Sequence, residues 1–129
     1  METALRAALI GWLASDPALT GVLNAVTEEA PTRAALPWLA LAASASTDWA
    51  TKDRAGREVR VALELQCRGD RPEAATALVA AIEARIATLP AQQTGFAIAS
   101  RAFLRGRTEQ RAGNLRAILT EYRFRVLAA

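Results

Sequence analysis

The residues best suited to chemistry in this chain are the arginines near its C-terminal end. Residues 101–129 contain seven basic residues, all Arg, and two acidic ones, a net charge of +5. Residues 1–100 contain nine basic and eleven acidic residues, a net charge of −2. A basic end of this kind is suited to nucleic acid or to an acidic protein surface. A strand face whose charges are merely solvated is the third interpretation.

A second candidate is the polar segment Asp48–Glu58, which carries Trp49 among charged residues and has no apolar periodicity. Large aromatic side chains in exposed loops are enriched at protein interfaces. We interpret the segment as a docking element that projects from a sheet edge. The alternative is that Trp49 folds back onto its own sheet. The predicted interface residues in the loop and the basic end are Trp49, Lys52, Asp53, Arg54, Arg57, Arg105, Arg107 and Arg111.

Catalytic chemistry has little support in the sequence. The 129 residues include no His and one Cys, and no paired carboxylates, metal-spaced cluster or phosphate-binding loop is present. The absence of His removes the usual general base and the commonest metal ligand. Cys67 falls on the apolar side of an alternating strand, where a free Cys behaves as a small hydrophobe. Arg68-Gly69-Asp70 spells a cell-adhesion tripeptide, but it falls at a predicted helix cap, which disfavours an adhesion role. We therefore expect a protein that is not an enzyme and has no cofactor or metal.

The N-terminal half predicts one helix and a hairpin. Leu5, Leu9, Trp12 and Leu13 share one face of a helix over 3–14, which ends before Pro17. Residues 18–22 form a short apolar piece, and 22–35 a connection. Strands are predicted over 37–44 and 59–67, with a long loop or hairpin tip over 44–56.

The C-terminal half predicts a helix and a second hairpin. Asp70 as N-cap, Pro72 in the first turn and Glu73 as the capping-box acid start a helix that runs to about Leu89. Its apolar stripe is Leu78, Ile82, Ile86 and Leu89, extended by Ala74. A strand over 94–105 follows, with Phe96 and Ile98 on one face and Phe103 on the other. A polar turn over 106–114 then leads to a strand over 115–127, where a break in alternation near Arg116 indicates either the real start of the strand or a bulge.

These elements predict an α+β fold with a mainly antiparallel sheet of about four strands and two helices packed on one face. We expect residues 1–129 to form a single domain. No apolar run reaches the length of a membrane span, and Met1-Glu2-Thr3 lacks the basic start of a signal peptide. With one Cys and no such segments, the chain is expected in a reducing cytoplasm and not at a membrane.

The chain resembles small siphophage and prophage proteins associated with tail completion, the tail terminator or tail-to-head joining proteins, which also occur in gene transfer agents. The resemblance spans nearly the whole chain and depends on the order and spacing of chemically unspecific motifs. At 66–67 the chain has Gln-Cys, where the family often has an aromatic residue followed by Ser. The matching pieces are Leu5-Arg6-Ala7-Ala8-Leu9, Pro37-Trp38-Leu39, Thr51-Lys52-Asp53, Gly56-Arg57-Glu58, Glu73-Ala74 and Tyr122-Arg123-Phe124-Arg125.

The resemblance implies a virion structural protein that is assembled in the bacterial cytoplasm into the tail of a phage-like particle. Such proteins form hexameric rings at the head-proximal end of the tail tube, stop its growth and join it to the head connector. The implied partners are further copies of the chain, the tail tube protein and the head-tail connector protein, with DNA only as the passing genome.

A nucleic-acid-binding module that uses the Arg-rich C-terminal hairpin is the alternative. It would need aromatic side chains interleaved with Arg on one exposed face. Tyr122 and Phe124 alternate with Arg123 and Arg125, so the aromatic rings are expected to point toward the core. We therefore expect Arg105, Arg107 and Arg111 to contact protein, and leave Arg123 and Arg125 as lumen or surface residues.

Overall fold

The computed structural model describes residues 1–129 as one twisted sheet with helices on one side. The sheet has six strands in the order β1-β2-β3-β6-β5-β4, antiparallel except for the β1–β2 pair. The elements are α1 Glu2–Ala14, α2 Pro17–Thr20, β1 Val26–Thr27, β2 Trp38–Asp48, β3 Gly56–Arg68, α3 Pro72–Ala87, β4 Gln92–Gln93, β5 Phe96–Arg111 and β6 Leu115–Ala128. The predicted α+β class is confirmed, since the four long strands and two long helices are those predicted from the sequence.

The core lies between the sheet and the helices. Alternation along β3 places Val59, Val61, Leu63 and Leu65 toward the helices, where all are at most 2% exposed. They pack in one cluster with the stripes of α1 and α3 and with Tyr122, Phe124 and Val126 of β6. Cys67 ends the apolar row of β3 and is buried, as predicted.

Helix α1 is joined to α3 by a reciprocal contact between Trp12 and Arg85. The Trp12 indole N–H donates to the Arg85 carbonyl oxygen at 2.8 Å, and Arg85 Nε donates to the Trp12 carbonyl oxygen at 3.0 Å. The Arg85 guanidinium carbon also lies 3.5 Å from the centroid of the Trp12 ring. Hydrogen bonds and a cation–π contact therefore fix the two helices relative to each other.

Both hairpins are longer than predicted: the alternative of a hairpin tip is correct for 44–48, whereas a loop over all of 44–56 and a turn over all of 106–114 are too long. β2 and β3 pair as far as Asp48 and Arg57, which shortens the loop predicted over 44–56 to residues 49–55. A Cβ at Gly56 would lie 2.5 Å from the carbonyl oxygen of Trp49, so the close of this loop requires glycine. β5 continues to Arg111, and the turn predicted over 106–114 is confined to residues 112–114, where Gly113 and Asn114 have positive φ.

The start of α3 also differs from the prediction. Pro72 occupies the beginning of the helix, as expected from its fixed φ, so the cap position falls on Arg71 and not on Asp70. No side chain caps this end, and the helix stops at Ala87. Ala75 is buried, whereas Ala74, placed in the predicted stripe, is exposed.

Bulges lie in β2 and β5 and not near Arg116. β6 pairs with β3 without a shift from Leu115 to Leu127. The register shifts instead between Leu41 and Ala43, between Ile98 and Ser100, and between Phe103 and Arg105. The shift after Ile98 changes which side chains face the helices, so Phe103 lies on the same face as Phe96 and Ile98, and its predicted placement was wrong.

None of the helices combines the length and the apolar character that crossing a bilayer would require.

Candidate functional site

The second face of the sheet carries no helix and is built from the alternate residues of the same strands. We call it the helix-free face; on β3 and β6 it consists of residues 58, 60, 62, 64 and 66 and residues 117, 119, 121, 123, 125 and 127. Glu58 lies directly opposite Arg125, and Arg125 Nε donates to Glu58 Oε1 at 3.1 Å. Arg60 lies opposite Arg123, and the Nε atom of Arg60 is 3.7 Å from Glu58 Oε2.

The predicted arginines of the basic end lie on this face but belong to strand β5, not to a turn. Arg105 is opposite Glu121 and Arg107 is opposite Leu119. Arg105 Nη2 is 3.0 Å from Glu121 Oε1, and Arg107 Nη2 is 3.6 Å from Glu109 Oε1. Each therefore has a carboxylate partner within the chain.

Arg111 links the end of β5 to β3. Its guanidinium lies 2.8 Å from a carboxylate oxygen of Glu109 and 3.6 Å from one of Glu64. The hydrogen bond from Arg111 lowers the pKa of Glu109, with a further contribution from the charge of Arg107. Dissolved salt weakens the attraction within such ion pairs, because these side chains are in contact with solvent.

The helix-free face is less basic than the sequence segment suggested. Its charged residues are Arg60, Arg105, Arg107, Arg111, Arg123 and Arg125, with Glu58, Glu64, Glu109 and Glu121. Six arginines and four glutamates leave an excess of two positive charges, compared with +5 for residues 101–129. The surface is therefore a mixed charged lattice suited to another mixed-charge protein surface more than to phosphates.

Two arginines of the predicted basic end serve the other side of the sheet. Arg101 donates to the Ile86 carbonyl oxygen near the C-terminus of α3 at 2.8 Å. Arg116 lies opposite Cys67 and donates to the Gly69 carbonyl oxygen at 3.3 Å. Arg101 thus binds a carbonyl group near the C-terminal end of α3, and Arg116 binds one just after the end of β3. Neither arginine is part of the helix-free face.

Trp49 begins the 49–55 loop and is half-buried, not fully exposed. The Arg125 guanidinium carbon lies 5.6 Å from the centroid of its ring, so the indole turns partly toward the helix-free face. The Trp49 backbone N–H donates to the Gly56 carbonyl oxygen at 3.0 Å, which closes the loop. The indole thus contacts its own sheet and keeps part of its surface free, and its role in docking stays a prediction.

The remaining predicted loop residues differ in their contacts. Lys52 and Asp53 are exposed at the tip and form no ion pair. Arg54 Nε donates to the Ala128 carbonyl oxygen at 2.9 Å, which ties the loop to the C-terminal strand. Arg57 Nη1 lies 4.0 Å from Asp48 Oδ1 across the hairpin. The structure therefore joins the loop to the helix-free face through Trp49 and separates its tip from the β5 arginines.

Sequence reasoning missed the acidic partners and one aromatic residue. Glu58, Glu64 and Glu121 could have been placed from strand alternation, since each has the parity opposite to the buried residues of its strand. Phe103, 51% exposed on the outermost long strand, could not, because the bulge before it reverses its face. No group of three or more His, Cys, Asp or Glu side chains is arranged to hold a metal ion.

Comparisons with known proteins agree with the resemblance noted from the sequence. The family model of the tail completion protein gp17 matches residues 7–127. A solved structure described as the virion of a native gene transfer agent particle contains a chain with a similar fold, with a TM-score of 0.68 and 21% identity over 97% of this chain and 96% of that one. No curated protein matches. Because the family model covers nearly the whole chain, the predicted structural, non-enzymatic role is confirmed, and the chain belongs to the tail completion protein gp17 family.

Proposed function

We propose that this protein is a ring-forming subunit of the tail of a phage-like particle, such as a phage or a gene transfer agent. Six copies form a ring at the head-proximal end of the tail tube. The ring stops tube growth and joins the tube to the head connector. The observation that carries the proposal is the match of a tail completion family over residues 7–127, together with the fold shared with a gene transfer agent virion chain.

The surfaces described above support a role in protein contacts. A closed ring needs two different patches on each subunit, because each copy meets its neighbour heterologously. The 49–55 loop supplies one patch, with a half-buried Trp49 and an unpaired Lys52 and Asp53 at its tip. It contacts either the adjacent copy or the next ring along the tail, formed by tube or connector subunits.

The helix-free face supports protein contact over DNA binding. Arg105, Arg107 and Arg111 each contact a carboxylate of the same chain, so binding a phosphate would require breaking or sharing those pairs. The genome must also slide through the ring, which a strongly cationic wall would hinder. DNA is therefore a passing cargo and not a ligand.

The test of the ring is the mass of the protein in solution and in assembled tails. The wild-type chain is expected to form a species of about six subunits by light scattering, and particles that lack it should carry tails that fail to join heads. Replacement of Trp49 by Ala should leave a folded chain that joins poorly. Val22→Ala, which shortens an exposed apolar side chain elsewhere, is the matched control. Normal joining by a folded Trp49→Ala variant would contradict the assignment of the loop.

The nucleic-acid alternative is tested by titration with duplex DNA near physiological salt. Weak binding is expected, with little change when Arg105, Arg107 and Arg111 are replaced together by Ala. Micromolar or tighter binding that this triple variant abolishes would instead favour the nucleic-acid module.

A further inference from the structure

At both edges of the sheet, a long strand is left mostly unpaired on its outer side. β1 pairs only with Leu39 and Ala40 of β2, and β4 pairs only with Phe96 and Ala97 of β5. Residues 41–48 of β2 and 99–111 of β5 therefore have no strand partner on their outer sides. Unpaired edges of this length readily accept another strand, and proteins that must stay apart usually protect them.

The free edge of β2 lacks that protection over most of its length. Residues 41–47, Leu-Ala-Ala-Ser-Ala-Ser-Thr, contain no charged residue and no Pro, and Asp48 is the first charge. The single bulge of the strand, between Leu41 and Ala43, comes before a regular run of six residues. Small side chains at Ala43, Ala45 and Thr47 leave room beside them on the helix-free face.

The free edge of β5 borders an open hollow. The hollow, of about 300 Å³, lies between α3 and β5 and is lined by Glu83, Ile86, Arg101, Phe103 and Tyr122 among others. The Tyr122 ring meets Phe103 edge-on at 5.6 Å, and its hydroxyl, in a residue only 4% exposed, has no hydrogen-bond partner within the chain. Glu83 forms no ion pair.

The directions of the strands make the two edges complementary. From β2 through β3 and β6 to β5 the direction reverses three times, so β5 runs opposite to β2. When identical copies are arranged head to tail in the same orientation, β5 of one copy meets β2 of the next antiparallel. The antiparallel ladder is the slightly more stable type, and its repetition around an axis generates a closed ring with no free edge.

We propose that the free edge of β5 binds the free edge of β2 from an adjacent copy, so that the sheets of the ring join into one continuous sheet. This rests on the proposed ring and specifies how it closes. Phe103 is the aromatic anchor of the contact, and the neighbouring β2 strand covers it and the mouth of the hollow. The helices then lie on one side of the continuous sheet and the helix-free face on the other.

Cysteine cross-linking tests the pairing of the edges. The background is a Cys67→Ala chain, which removes the one native thiol. Ala45→Cys combined with Ala102→Cys, or with Arg107→Cys to cover a staggered register, should give a covalent ladder that rises to the closed ring with a short bismaleimide, because all three positions lie on the helix-free face. Ala45→Cys with Ala84→Cys, on the exposed side of α3, is the matched control and should give none.

Removal of the anchor gives an independent measurement. Phe103→Ser should raise the protein concentration needed for half-assembly by about tenfold or more, as expected of a central aromatic residue of an interface. Val22→Ser, at a side chain of similar exposure in a hollow that contains no residue of β5, should leave that concentration nearly unchanged. Folding of both variants is verified by thermal unfolding of the monomer.

The outcomes separate the two proposals. Rings that form without either cross-linked ladder, or with an unchanged half-assembly concentration for Phe103→Ser, would overturn the edge pairing and leave the ring intact. A wild-type chain that stays monomeric both in solution and in assembled tails would overturn the ring and the pairing together.

Discussion

The two faces of the sheet use the same strands for different kinds of contact. On the helix-covered face of β3 and β6, side chains such as Leu63 and Phe124 are fully buried and packed against α1 and α3. On the helix-free face, Glu58 and Arg125 pair at the surface and stay partly exposed. Since strand side chains alternate with period two, the residues of one face can supply stability while the residues of the other face remain available for contacts with partners.

The largest expected difference between the faces is in the free energy of unfolding that is lost when a leucine on each face is replaced by alanine. Leu63→Ala, at a fully buried position, should lower the free energy of unfolding by about 2–5 kcal/mol, through lost burial and the cavity that remains. Leu119→Ala, half-buried on the helix-free face, should cost about 1 kcal/mol or less. Chemical denaturation of both variants measures the difference. Equal costs would mean that the helix-free face is as tightly packed as the core.

A smaller difference is expected between the two Arg–Trp contacts. Arg85→Lys removes the close stacking on Trp12 and a well-oriented hydrogen bond between helices, and should cost about 1–2 kcal/mol. Arg125→Lys loosens a longer contact with Trp49 and a surface pair with Glu58, and should cost about 0.5 kcal/mol. A larger stability loss for Arg125→Lys would show that the 49–55 loop helps to hold the fold together.

The titration of Tyr122 sharpens the comparison at high pH. Burial, and to a lesser degree the charge of Glu83, raises the pKa of this single Tyr to about 12. Because the folded state favours the neutral phenol, stability should be unaffected below pH about 10, the unfolded pKa, and should fall as pH rises toward 12. Tyrosinate absorbance measures the pKa. Glu83→Gln should lower it slightly, and Glu58→Gln, across the sheet, should leave it unchanged.

The smallest expected effect is the change that salt causes in the pKa values of two glutamates, Glu2 near the helix-covered face and Glu109 on the helix-free face. Hydrogen bonds from Ser44 and Ser46 lower the pKa of Glu2, whereas the arginines at 111 and 107 lower that of Glu109. Both carboxylates therefore contribute stability above their ordinary pKa that is lost as pH falls through the folded value. Carboxyl NMR titrations should show that added salt raises the pKa of Glu109 more than that of Glu2. An equal response would mean that charge does not dominate at Glu109.

Local patterns in the sequence determined most of the fold. The stripes Leu5, Leu9, Leu13 and Ile82, Ile86 predicted the faces of the two long helices, and the alternation from Val59 to Cys67 predicted the buried side of β3. The aromatic residues Tyr122 and Phe124 were correctly placed in the core. These features are local, because each depends on periodicity within one element and on the burial of apolar area.

The tertiary structure alone decided which residues meet one another on the candidate interaction surfaces. Glu64 reaches Arg111 only because β3 and β5 flank β6, and no spacing along the chain predicts that contact. The bulges of β5 brought Phe103 to the helix-covered side, and the shortness of β1 and β4 left two edges unpaired. Bulges, strand order and edge pairing arise from contacts between distant segments, so periodicity within a single segment carries no information about them.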